Sequence, residues 1–221
     1  MTFFPFFAII IPMKHLPEIF KFIDVIGQLK YTMRFGDIES DRKDSSAAHS
    51  WRLAVLCMIL GPEVPDLDIL RAVKIALVHD IPELLAGEEP FGEVLFDKSK
   101  ISDKHLREAD AARVIFAHLP EALCKEMLEL YNDYSSAGTR EAKFVKICDK
   151  LEAAYTTMND VGLKKVGYGP PLHSKQCFGM MPEMDEAIRF VNQELKKAHD
   201  AESQEWFDEY NLPLGSGQGE S

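Results

Sequence analysis

Four ionisable side chains in this 221-residue chain sit where helical spacing calls for apolar ones. His49 falls on a stripe with Leu53, Leu56 and Leu60, at intervals of four, three and four. His79 shares a helical face with Ala72, Ile75 and Ala76, and Asp80 is its neighbour around the helix. Asp149 lines up with Ala142 and Val145, two turns and one turn before it. A carboxylate turned into a core is paired, metal-bound or neutralised, because burying it bare costs several kcal/mol. Two neutral imidazoles and two carboxylates form a mixed nitrogen and oxygen set. Such a set suits one divalent cation, with Mn, Co, Mg, Fe or Zn as candidates. Four protein ligands leave an octahedral ion positions for water and for a substrate oxygen. Taken singly, each residue has a plainer explanation, as a satisfied core histidine or a helix-to-helix hydrogen-bond anchor. Taken together, three helices would each need a separate polar partner, whereas one shared cation serves them all.

The elements that must position these groups read as helices throughout. No window shows sustained alternation, and apolar spacings of three and four recur along the chain, so the expected fold class is all-α. The pattern predicts a single compact domain of about six to eight helices over 15–210, with the metal site between core helices. An apolar extension covers 1–14 and a flexible tail covers 211–221. Leu16 to Leu29 is the first expected helix, and Ala47 to Leu60 is the second, stopped by Gly61 and Pro62. Asp66 or Asp68 is the candidate cap of a third helix, which runs up to His79 and Asp80 and meets Pro82. Arg34 to Ser46 and Gly87 to Ser102 read as loops. Lys104 to Leu119 and Glu121 to Tyr134 are amphipathic helices, with Pro120 suited to a first helical turn. Thr139 caps a long helix ending near Val161, and a last helix spans Met184 to Glu209. Between them, Val161 to Glu183 is rich in glycine and proline, and loops of that length inside compact domains tend to be functional or disordered.

Composition narrows the classes. The charge is 25 Lys and Arg against 36 Asp and Glu, a net of −11, which repels polyphosphate backbones and argues against nucleic-acid binding. Cys57, Cys124, Cys148 and Cys177 are far apart with no CxxC pair, which excludes a zinc knuckle and a disulfide framework. That usage fits a cytoplasmic or other reducing intracellular compartment. Met1 to Met13 is apolar but too short to span a bilayer, and Pro5 and Pro12 interrupt it, so no membrane partner is expected.

The order His49, then His79-Asp80, then Asp149 resembles the H…HD…D signature of the HD-domain phosphohydrolases. The contexts HDIPELLAGE (His79 to Glu88), LPEAL (Leu119 to Leu123) and EAKFVKICDKLEA (Glu141 to Ala153) narrow this further, as do Arg34-Phe35-Gly36 and the run from Arg42 to Trp51. They resemble the metal-dependent 5′-deoxynucleotidase branch, the HD domain-containing protein 2-like group. The resemblance covers about Leu16 to Asn192. It implies that His49, His79, Asp80 and Asp149 bind one divalent cation. It also implies hydrolysis of deoxyribonucleoside 5′-monophosphates, with Glu83 as the acid/base or water-orienting group. Glu88 matches a position near the sugar, and Arg34 with Phe35 matches an Arg-aromatic pair lining the substrate pocket. Members are usually homodimers.

This chain departs from the family pattern at Ala48, where a glutamate commonly precedes the first histidine, so a polar contact near His49 is expected to be missing. Phe35 stands where tryptophan is frequent, which changes the stacking area. Lys164, Lys165 and Lys175, with Tyr168 and His173, form a candidate basic lip for dianionic nucleotides. His105 and His118 fall where dinuclear relatives place extra ligands, but both lie in settings unlike metal positions. The alternatives to a 5′-deoxynucleotidase are a non-catalytic HD scaffold binding metal or nucleotide, or an HD enzyme acting on cyclic nucleotides or triphosphates.

Overall fold

Leu16–Ile26 form α1, with Pro17 in the first turn, where its missing N–H breaks no bond. The structure, a computed structural model, describes residues 14–34, 44–87, 98–157, 177 and 179–198. The apolar extension, most of the long Gly/Pro stretch and the tail lie outside the described residues. The helix expected to reach Leu29 ends at Ile26 and tightens into a 3-10 turn over Gly27–Tyr31. Arg34 to Ser46 is not wholly loop: Met33–Arg34 (β1) and Asp44–Ser45 (β2) pair antiparallel, with Met33 opposite Ser45 and Arg34 opposite Asp44. This ribbon is the one sheet among the described residues.

Ser45 closes the ribbon and opens α2 (Ser46–Leu60), its Oγ accepting from the Ala48 N–H at 3.2 Å. Gly61 then starts a 3-10 turn, and any Cβ there would come within 2.9 Å of Ile69 Cγ1, so the close approach to α3 requires glycine. Of the two candidate caps for α3 (Ile69–Val78), Asp68 does the work, accepting from the Arg71 N–H at 2.9 Å. The helix stops at Val78, short of the expected His79-Asp80. Pro82 cannot donate to the Val78 carbonyl and would clash with it, so the chain continues in i→i+3 bonds such as Ile81 to Val78 and Glu83 to Asp80. A short α4 (Glu83–Ala86) follows, and Gly87 ends it with φ 74.

The next helix, α5 (Lys98–Phe116), begins inside the stretch expected as loop. Pro120 sits one residue before α6 (Glu121–Ser136), as its cap, and not in its first turn. Thr139 caps α7 (Arg140–Thr157) as expected, its Oγ1 accepting from the Ala142 N–H. Buried Asp133 clasps this corner, accepting from Thr139 N–H and Oγ1 at 3.0 and 2.8 Å and from Arg71 Nη2 at 2.7 Å. The last described helix, α8, spans Asp185–Ala198.

Helices α2, α3 and α7 pack on one another at the centre, with α6 against α3 and α7, and α8 against α7. Leu53, Ile75, Phe144, Ile147, Ile188 and Leu195 form the fully enclosed part of the core, and Phe22 meets Phe116 at its edge with ring centroids 6.3 Å apart. The fold is all-α apart from the two-residue ribbon. No described helix is long and apolar enough to cross a membrane, and all four cysteines are free thiols.

Candidate active site and metal centre

The centre of the bundle is polar where a core should be dry. His49 comes from α2, His79 and Asp80 from the turn after α3, and Asp149 from α7, and all four are buried. His49 Nε2 lies 3.0 Å from Asp149 Oδ1 and 3.8 Å from Asp80 Oδ2. His79 Nε2 lies 2.9 Å from Asp80 Oδ1. One ligand atom each from His49, His79 and Asp80 falls within 4.8 Å of the others.

The two imidazoles are oriented alike. His79 Nδ1 donates to the Ala76 carbonyl at 2.8 Å, and His49 Nδ1 donates to Glu152 Oε2. Each ring therefore turns Nε2 into the cluster, where it lies within 3.0 Å of a carboxylate oxygen yet forms no well-directed hydrogen bond among the described residues. Two enclosed nitrogens without a well-directed hydrogen bond, facing two carboxylates, fit a divalent cation, since buried polar atoms are otherwise satisfied.

Charge in the cluster is balanced by proximity. Burial and the Arg34 guanidinium push the His49 pKa down, but Asp149, Glu152 and Asp80 outweigh them and raise it to about 9. Burial opposes ionisation of Asp149, yet Lys150 and His49 hold its carboxyl well below the usual range. Asp80 is likewise held low against its burial, by His79, His49 and Arg34. Glu83 behaves oppositely: burial and the Asp80 charge raise it to about 7, although Ser46 works against them. A carboxyl poised near neutrality is suited to moving protons.

Arg34, on β1, reaches the cluster with Nη1 3.4 Å from Asp80 Oδ2. Phe35 and Glu88 lie outside the described residues, as does the candidate lip of Lys164, Lys165 and Lys175. His105 is exposed and His118 half-buried, neither with the cluster.

Three contributors escape a reading of inward-facing charges. Ser46, buried in the first turn of α2, donates from Oγ to Glu83 Oε2 at 2.6 Å. It precedes His49 by three and so shares its face, a spacing that was available in the sequence. Glu152 follows Asp149 by three on α7, by the same logic, and supplies from that helix the contact expected to be missing at Ala48. Tyr134, at the end of α6, sets its ring 4.8 Å from that of His79 and donates its hydroxyl to Asp149 Oδ2 at 2.8 Å. Lys150 Nζ joins the same oxygen at 2.9 Å. Nothing in the spacing around Tyr134 announces this position.

The HD-domain family pattern matches residues 26–187, well over half of the chain. The chain belongs to the HD-domain family. Among curated HD-domain relatives, human 5′-deoxynucleotidase HDDC2 is 35% identical over 137 residues, 61% of this chain. The chain spans 64% of that relative's length. The 5′-deoxynucleotidase hdd1 of Schizosaccharomyces pombe is 37% identical over 142 residues, covering 61% of this chain and 68% of hdd1. The HD fold recurs in a predicted metal-dependent phosphohydrolase from Magnetospirillum magnetotacticum, with a TM-score of 0.67 at 24% identity, over 83% of this chain and 96% of that one. It recurs too in the cyanophage S-2L HD phosphohydrolase DatZ, solved bound to dA and one catalytic Zn2+ ion (TM-score 0.55, 20% identity, 79% and 96% covered). These two likenesses speak for the fold alone.

Proposed function

We propose that this chain is a metal-dependent phosphomonoesterase that hydrolyses deoxyribonucleoside 5′-monophosphates to deoxynucleoside and phosphate. One observation carries the reading: two buried imidazoles turn Nε2 atoms that lack a well-directed hydrogen bond towards Asp80 and Asp149, in a chain whose curated relatives are named 5′-deoxynucleotidases. His49, His79, Asp80 and Asp149 would hold one divalent cation, and Mn, Co, Mg, Fe and Zn are all compatible with the mixed donor set. When bound, such a cation supplies positive charge to a phosphoryl oxygen and acidifies nearby water.

The remaining work falls to the chain. Glu83, oriented by the Ser46 hydroxyl, takes the proton of the attacking water and returns one to the leaving sugar oxygen. Arg34 offers a permanently charged planar fork to the phosphate, and its place beside Asp80 puts that fork at the edge of the cluster. Phe35 and Glu88 are assigned to the base and sugar on the sequence motif. The free thiols accord with a cytoplasmic or other reducing compartment, and a homodimer belongs to the same reading.

The test is a nucleotide panel on metal-stripped protein. Phosphate release from several deoxynucleoside monophosphates on adding Mn2+ or Co2+, stopped by EDTA, is the expected result. Glu83→Gln should bind Mn2+ with wild-type affinity and release no phosphate. Hydrolysis confined to cyclic nucleotides or triphosphates, or nucleotide binding without turnover under every cation, would overturn the proposal.

A further inference from the structure

Glu152 uses both carboxylate oxygens in the core. Oε2 accepts from His49 Nδ1, and Oε1 accepts from Arg52 Nε at 2.5 Å. The same guanidinium grips Asp44, Nη1 to Oδ1 at 3.0 Å and Nη2 to Oδ2 at 2.6 Å. Asp44 lies in β2 opposite Arg34 in β1. A continuous chain of charge-assisted bonds thus joins an imidazole on α2 to a carboxylate on α7, 103 residues away, and then to the ribbon bearing Arg34.

We propose that Glu152 is a positioning residue, the middle of a His49–Glu152–Arg52–Asp44 relay that fixes the His49 ring for the cation and ties it to the Arg34 ribbon. The inference rests on the metal-site reading above. Its physics is separate. A donor bond from Nδ1 leaves the lone pair of the neutral ring on Nε2, the atom turned into the cluster. Rotation about the Cβ–Cγ bond would break that bond and leave Glu152 Oε2 buried without its donor. Arg52 prevents Glu152 from turning instead towards the ligands, because its fork is already committed to two carboxylates in fixed directions. Glutamine cannot replace glutamate here. It has one oxygen for two donors, so its amide must face either His49 Nδ1 or Arg52 Nε with N–H against N–H.

Two readouts test this on the full chain. In calorimetric titration with Mn2+ alone, Glu152→Gln is expected to weaken binding by about 10–100-fold, the range typical of residues that hold a metal-ligating histidine. An unchanged dissociation constant in a folded variant overturns the proposal. Nitrogen-15 spectra of the histidine rings supply the second readout. In the metal-free wild type, at alkaline pH where the His49 ring is neutral, its proton should sit on Nδ1, and in Glu152→Gln that preference should be lost. A neutral wild-type ring with its proton on Nε2 instead of Nδ1 overturns the relay, and because this arm uses no cation it judges the relay apart from the metal site. A wild type that takes up no Mn2+ yet shows the Nδ1 tautomer refutes the metal-site reading alone. If Glu152→Gln does not fold, Arg52→Lys takes its place: it keeps the charge but cannot serve both carboxylates, so Mn2+ binding should weaken several-fold, and wild-type affinity again overturns the proposal.

Discussion

Replacing Asp149 by asparagine changes one oxygen to an amide nitrogen and tests the metal centre through stability. In the native protein Oδ2 accepts from Tyr134 and Lys150 while Oδ1 faces His49 Nε2. Asparagine keeps one acceptor, which the Tyr134 hydroxyl claims, and so turns its NH2 group towards His49, a donor pointed into the seat of a cation. The Lys150 side chain is 32% exposed, so losing its pair costs little. Converting the Tyr134 bond from a charged to a neutral acceptor costs about 1 kcal/mol, or about 2–4 °C in the melting temperature of a chain this long. The cation-dependent effect is larger. At about a hundred times its dissociation constant, a ligand bound only by the native state adds about 2.7 kcal/mol, worth about 5–11 °C here. Calorimetric scans of metal-stripped protein with and without Mn2+ should therefore show the full increment in the wild type and none in Asp149→Asn, each scan being compared with the metal-free melting temperature of the same protein. If the variant gains as much from Mn2+ as the wild type, Asp149 is not a ligand and the four-residue site is wrong.

Two further outcomes separate chemistry from scaffolding. Ser46→Ala removes the hydrogen bond that favours ionised Glu83, so the Glu83 pKa rises further above its native value of about 7; if turnover needs the carboxylate, the acidic limb of the pH–rate profile moves to higher pH, and a limb that stays put or moves to lower pH refutes that role. Asp133→Ala strips the clasp on Arg71 and Thr139 and should cost about 2–4 kcal/mol, measured as a lower melting temperature, while the Mn2+ increment survives because no ligand is touched.

The helical architecture was largely legible, because helix periodicity and the stops at Gly61-Pro62 and Pro120 act locally. Boundaries set by tertiary contact were not. The third helix looked as though it continued through His79 because its apolar spacing does continue, but Pro82 withdraws the donor that Val78 needs. The β1–β2 ribbon is two residues per strand, too short for alternation to register. For the site, inward-facing His49, His79, Asp80 and Asp149 stood out as charges on apolar faces. Glu152 and Ser46 share those faces three residues away, but Glu152 lies inside a motif and Ser46 falls at the end of the stretch that reads as loop. Tyr134 was beyond reach, since an amphipathic tyrosine at a helix end looks the same whether it meets solvent or a carboxylate.

Because α3 ends at Val78, His79 and Asp80 leave the helix side by side. Within an α-helix, neighbouring residues diverge by about 100° around the axis, and two such groups would struggle to address one point. The turn removes that constraint and brings His79 Nε2 to 2.9 Å from Asp80 Oδ1. Half of the proposed ligand set therefore sits on a hydrogen-bonded corner, while His49 and Asp149 stand on long helices braced by the core.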